Sequence, residues 1–211
     1  MLYRSVILSI IIFILAICPV KVLSADTLKI HNFSLEVKLL PWEKEGFMDL
    51  LSLIERRMSE IGTITELKID KDIVNFVVST NLTSDRVKYI LSKEGILYVK
   101  DQAGLKTCLN VEYSYFNTKT ELSPELKISL SKDSSEAFAK ITEDNIKKKL
   151  ASYLDDELLS EPVVMEKITG GDLMITFGYD QPEFYPDDIA VILRNGPLPG
   201  KVSIVKCEEC K

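Results

Sequence analysis

Histidine is almost missing from this chain, with His31 alone among 211 residues. A hydrolytic triad needs histidine beside an activated nucleophile, and no serine or cysteine stands in such a context, so no catalytic residue is expected. His31 reads as a residue flanking a strand. Positive charge is also short: 26 lysines and arginines face 32 acids, and the net charge of −6 argues against a nucleic-acid partner. After residues 6 to 17 there is no second apolar run near the roughly 20 residues that a membrane span takes. The chain beyond that run is therefore expected to be soluble, or peripheral to a membrane at most. Gly170-Gly171 lacks the Lys-Ser and helix start of a phosphate loop, which leaves a tight turn and no expected cofactor.

What is present begins with a leader: Arg4, the apolar run Val6 to Ile17, then Pro19, Lys21 and "VLSAD". This is the pattern of a secretory signal peptide over residues 1–24, cut after Ser24 or Ala25. An uncleaved anchor is the alternative, and so is lipidation at Cys18, although Ile17 stands where a lipidation signal takes a small residue. The rest, in a chain 46% hydrophobic and 27% charged, is enough to bury a core.

Periodicity divides the chain into elements. Leu35, Val37 and Leu39 alternate as in a strand, and Trp42 follows as a core contact or a partner anchor. Phe47, Leu50, Leu51, Ile54, Met58 and Ile61 fall on one helical stripe that Gly62 stops. Thr65–Ile69 and Ile73–Ser79 read as a hairpin. A second helix starts at Thr83, with Leu82 and Val87 spaced for a hydrophobic staple and Gly95 closing the end, and Ile96–Val99 reads as a strand. The order β-α-β-β-α-β is the split βαβ pattern of a ferredoxin-like domain. Beyond it, Leu126 to Leu130 alternate, Asp133 and Glu136 have capping-box spacing, and 149–154, 157–164 and 173–177 read as strands. The aspartate pairs 155–156 and 187–188 mark a turn and a helix start. A helix over Pro182–Arg194, a break at Gly196, Pro197 and Pro199, and a strand over Val202–Val205 close the chain.

Three segments in consistent order carry a resemblance: "LLSLIERRMSEIGTITELKIDKDIVNFVVS", "SKDSSEAFAKITEDNIKKKLASYLDDELLSEPVVMEKITGGDLMITF" and "DDIAVILRNGPLPGKVSIV". They resemble the first periplasmic domain of SecD, an accessory membrane subunit of the bacterial Sec translocase. The chain departs from the family pattern at Asp156, Glu161, Pro197 and Gly200-Lys201, and it has none of that subunit's six spans. The resemblance implies an α+β fold in which a ferredoxin-like base, residues 25–104 and 180–211, is interrupted by a smaller α+β head, residues 105–179. It also implies a module that binds unfolded or emerging polypeptide, with Sec membrane subunits as further partners. The expected polypeptide-binding residues are Pro162, Val163, Val164, Met165 and Ile168, on a strand edge of the head. Gly104 and Gly178 are the expected hinges.

Three cysteines follow the leader. Cys207 and Cys210 form a terminal "CEEC", and Cys108 lies far upstream. In an oxidising compartment a disulfide from Cys108 to one tail cysteine, or a local bond, is expected. A redox pair is the other reading, yet Glu208 and Glu209 favour the protonated thiol. Zinc would draw on these cysteines with His31, and no metal is expected. The function expected is therefore non-enzymatic: a periplasmic polypeptide-binding module supporting Sec-dependent export or later folding. The alternative is an envelope subunit that uses the same scaffold to bind one folded partner.

Overall fold

In a computed structural model the described residues are 29–41, 43, 45–117, 125–177 and 185–210. The leader with Cys18, Trp42, Gly178 and the start of the expected helix at Pro182 lie outside them.

The first sheet has the order β11-β1-β3-β2 with every neighbouring pair antiparallel. Its strands are β1 (His31–Pro41), β2 (Gly62–Asp70), β3 (Ile73–Thr80) and β11 (Gly200–Glu209). Two helices, α1 (Phe47–Ile61) and α2 (Ser84–Ser92), pack on one face. Alternation explains the burial: Phe33, Leu35, Val37 and Leu39 of β1 and Val74, Phe76 and Val78 of β3 point to the helices. From the other side Leu50, Leu51, Ile54 and Met58 of α1 meet Val87, Ile90 and Leu91 of α2 in the same core. Gly62 ends α1 because a Cβ there would lie 2.3 Å from the carbonyl oxygen of Ser79, so only glycine allows β2 to start pairing at once.

This is the ferredoxin-like unit, with one change in its bookkeeping of strands. The fourth strand is β11, from the end of the chain. The strand expected over Ile96–Val99 to complete this unit is β4 (Leu97–Lys100), which pairs instead with β5 (Lys106–Leu109) and β8 (Ala151–Leu154). With β9 (Glu157–Ser160) they make a second sheet, β5-β4-β8-β9. The third sheet, β10-β7-β6, consists of β6 (Val111–Asn117), β7 (Glu125–Leu130) and β10 (Asp172–Thr176).

Helix α3 (Lys132–Asp144) lies between the inserted strands. Its N-cap is Ser131, whose hydroxyl accepts from Ser134 N, so the expected box from Asp133 to Glu136 gives way to a cap two residues earlier. Helix α4 (Pro186–Asn195) packs on α1, α2, β6 and β7. Pro186 and the acids Asp187 and Asp188 suit its first turn, and Arg194 suits its last. The expected break follows: Gly196 has φ 80, Pro197 and Pro199 prevent continuation, and Leu198 is buried. β11 is longer than expected. The residues beyond Lys206, read as a free tail, stay in the sheet, with Cys207 opposite Leu35 and Glu209 opposite Phe33.

Candidate functional site

An apolar cleft of about 340 Å3 opens between the segment 162–168 and β10. The segment is not a strand beyond its bridge at Val163, which corrects the expected edge over 161–168. Its backbone is fixed from behind: Leu150 N donates to Pro162 O at 3.0 Å, and Val164 N donates to Lys148 O at 2.9 Å. At the far end Ile168 N donates to the hydroxyl of Thr142 on α3, 3.1 Å away. These bonds leave Val163, Met165 and Ile168 exposed while Val164 turns into the core.

The opposite wall is β10. Asp172, Leu173, Met174 and Ile175 all line the cleft. Successive strand residues point to opposite faces, so a cleft touched by four in a row runs along the strand's edge. In the sheet order β10-β7-β6 that edge has no strand partner among the described residues. The floor is apolar, formed by Phe138, Leu150 and Val164, and Met165 stands 78% exposed at the mouth. The geometry is that of a slot: an open row of backbone donors and acceptors faces an anchored apolar wall.

All five expected polypeptide-binding residues, Pro162, Val163, Val164, Met165 and Ile168, line this slot. The opposite wall was missed in the sequence, because Leu173–Phe177 reads as an ordinary short strand. The one signal available was Met174, an apolar residue at an outward position and 58% exposed. Gly170 and Gly171 form the expected turn into β10; Gly171 has φ 70, and a Cβ there would sit 2.0 Å from Ser135 Oγ.

Other expectations need correction. Gly104 is in the β4–β5 hairpin turn, where its N–H donates to Asp101 O at 3.0 Å. The strands on either side belong to one sheet, so Gly104 does not connect two sheets. Cys108, Cys207 and Cys210 are free thiols, the first on β5 and the other two beside β1, so the expected disulfide is not formed. Burial pushes the Cys207 thiol up, with Lys88 opposing, the reverse of what a reactive thiolate needs. Among the described residues no three of His, Cys, Asp and Glu converge on a metal position.

Two larger clefts, each of about 470 Å3, have charged rims. One lies along Lys93, Lys106 and Asp155. The other is held by Arg86, whose guanidinium bonds both Asp187 and Asp188. Asp188 is buried, which raises its pKa against the pull of Arg86. These charges satisfy one another and join α2 to α4.

The passage between the first sheet and the inserted strands centres on Arg57, which is fully buried on α1. Its guanidinium donates to the carbonyls of Ile90, Lys93, Glu94 and Gly196 at 2.6 to 3.1 Å. Burial pushes its pKa down to about 10, with Asp155 opposing, so it stays charged at neutral pH. Asp155, in the β8–β9 turn with φ 52, accepts from Gly95 N and Ile96 N. Leu198 N donates to Glu94 O at 2.7 Å.

A family model described as the SecDF P1 head subdomain matches residues 82–200, more than half of the chain. The chain belongs to the SecDF P1 head family. Curated relatives named protein translocase subunit SecD agree. That of Aquifex aeolicus is 30% identical over 166 residues, covering 76% of this chain and 32% of the relative. That of Calditerrivibrio nitroreducens is 32% identical over 139 residues, covering 66% and 24%. That of Acidaminococcus fermentans is 29% identical over 161 residues, covering 74% and 38%. The chain thus spans about a quarter to two-fifths of these relatives. Among solved structures, SecDF in a super-membrane-facing form superposes with TM-score 0.64 at 16% identity, over 84% of this chain and 30% of that one. A structure described as a membrane component SecDF that enhances protein export superposes with TM-score 0.60 at 18% identity, over 82% of this chain and 98% of that one. The SecDF P1 fold, α+β with a ferredoxin-like base, is therefore this chain's fold.

Proposed function

We propose that this P1 domain serves protein export by holding an extended stretch of unfolded polypeptide in the slot between β10 and residues 162–168. The observation that carries the reading is the free edge of β10 facing an apolar wall. Main-chain pairing gives affinity without reading sequence, and exposed methionines adapt to varied side chains. The names of the relatives, translocase subunit SecD and a component that enhances export, support the same process. In this reading the first sheet with α1, α2 and β11 is the base. The strands β4 to β10 with α3 form the head, an insertion that begins ahead of Leu97. The activity is binding, with no chemical step, at the outer face of the cytoplasmic membrane and alongside the Sec membrane subunits. No described helix is long and apolar enough to cross a membrane.

The test is fluorescence anisotropy with a labelled nine-residue apolar peptide and the same peptide N-methylated at alternate residues. Val163→Asp with Met174→Asp should weaken the unmodified peptide at least about tenfold, since the two changes place a charge on each wall of the slot. N-methylation should weaken it comparably. Unchanged affinity in both arms, with unchanged thermal stability of the variant, would refute the slot.

A further inference from the structure

The charge around the slot is one-sided. Glu166 and Asp172 are the charged residues that line it, and both are exposed. Among the described residues Glu166 has no hydrogen-bond or ion-pair partner, and Asp172 accepts the hydroxyl of Ser129 at 2.7 Å. No lysine or arginine lines the slot among the described residues, Lys147 and Lys148 included although their backbones bond Val164. Lys149 is paired with Glu161 and Lys167 with Glu143, each at 2.8 Å. Lys127, beside Met174 in the ladder, has its ammonium 5.7 Å from the Tyr115 ring, on the β6 side of the sheet. An apolar slot thus carries two carboxylates, one on each wall, and no cation among its described lining residues.

We propose that the slot selects apolar polypeptide segments flanked by lysine or arginine and disfavours those flanked by acids. The inference rests on the slot being a polypeptide site. A strand paired to β10 would place its apolar side chains on Phe138, Leu150 and Val164. Its flanking residues would then lie at the mouth, beside Glu166 and Asp172. A cation there meets two carboxylates, whereas an anion meets repulsion with no cation in the slot's lining to offset it. The carboxylates are solvent-exposed, so the discrimination is modest and salt-sensitive.

The experiment uses three labelled peptides with one apolar core and two flanking residues that are lysine, glutamine or glutamate. At low salt the lysine peptide should bind about 3- to 10-fold tighter than the glutamine peptide, and the glutamate peptide weaker by a similar factor. At about 1 M salt the three should converge. Glu166→Gln with Asp172→Asn keeps the Ser129 acceptor and should erase the ranking among the three peptides, whatever it does to their common affinity. The same loss of charge on the far edge strand, Glu66→Gln with Asp70→Asn, should leave the ranking intact. If the glutamine peptide binds but the three are equal, or if the ranking survives the slot variant, the charge selection is wrong and the slot stands. If the glutamine peptide does not bind, the slot fails and the selection fails with it.

Discussion

Removing the Arg57 guanidinium should destabilise the domain more than any loss in the slot. Arg57 is fully buried, and its four acceptors are carbonyls at the C-terminal ends of α2 and α4, where the helix dipoles favour a cation. Arg57→Ala strips that cation from all four and leaves a cavity. Hydrogen bonds to a charged group are worth about 1.5–3 kcal/mol each. Several carbonyls lose theirs together with the packing of the side chain, so a cost of at least about 3–5 kcal/mol is expected, against roughly 5–15 kcal/mol of stability in a typical domain. Arg57→Lys keeps charge, yet one ammonium cannot serve four carbonyls spread across a planar fork, so a loss of about 1–3 kcal/mol is expected. Arg56→Ala, its exposed neighbour, should cost under about 0.5 kcal/mol. Urea unfolding followed by circular dichroism gives the three values. A loss below about 1 kcal/mol for Arg57→Ala, at unchanged m, would show that water replaces the guanidinium and that the joint is not held by it.

The remaining predictions concern the turns and strand ends. Gly171→Ala should cost more than about 1 kcal/mol, because φ is 70 and the new Cβ would meet Ser135 Oγ, whereas Gly170→Ala has open space; equal melting temperatures would refute the contact argument. Cys207→Ser should lower stability slightly through a half-buried strand position and Cys210→Ser should not, which a thermal melt under reducing conditions separates. The Glu209 carboxyl is held below the usual carboxylate range by its hydrogen bond to His31. Its stabilising contribution is therefore present above the unfolded value and lost as pH falls through the folded one. Amide protection at residues 207–209 should drop below about pH 4 and no longer depend on this step in His31→Ala.

Most elements were legible because their periods are local. The α1 stripe, the β2–β3 hairpin and the Gly196 break each depend on residues within a few positions. Strand pairing is not local. Leu97, Tyr98 and Val99 form a short apolar run that any sheet could bury, and nothing in it says that Lys106–Leu109 will turn back beside it. The same holds for β11, whose end alternates weakly and stays in the sheet because β1 supplies partners as far as Phe33. At α3 both Ser131 and Asp133 can cap; Ser131 prevails because Ser134 Oγ is then placed to accept from Asn110 N at 2.8 Å. In the slot, the segment 162–168 reads in the sequence as a strand edge, whereas its backbone bonds Lys148, Leu150 and Thr142 and forms no strand. The β10 wall could not be read from the sequence, since an edge strand and an interior strand have the same alternation.

Of the two expected hinge glycines, Gly104 lies in a hairpin turn and Gly178 outside the described residues. A passage at Gly104 and Gly178 would be two flexible threads between units. The described passage instead brings the outgoing residues 93–96 and the returning residues 196–198 against each other, with Leu198 N bonded to Glu94 O. One buried guanidinium bonds carbonyls on both, and one turn carboxylate caps the two outgoing amides. Lys93 and Tyr89 then reach Glu157 of β9 at 2.5 and 2.6 Å, extending the joint into the second sheet. Bending it breaks several charge-assisted hydrogen bonds around a fully buried guanidinium, so it resists small displacements. In the proposed function, a polypeptide held at β10 would then be held at a set angle to the first sheet, and the stiffness of the Gly196-Pro197-Leu198-Pro199 turn would help set that angle.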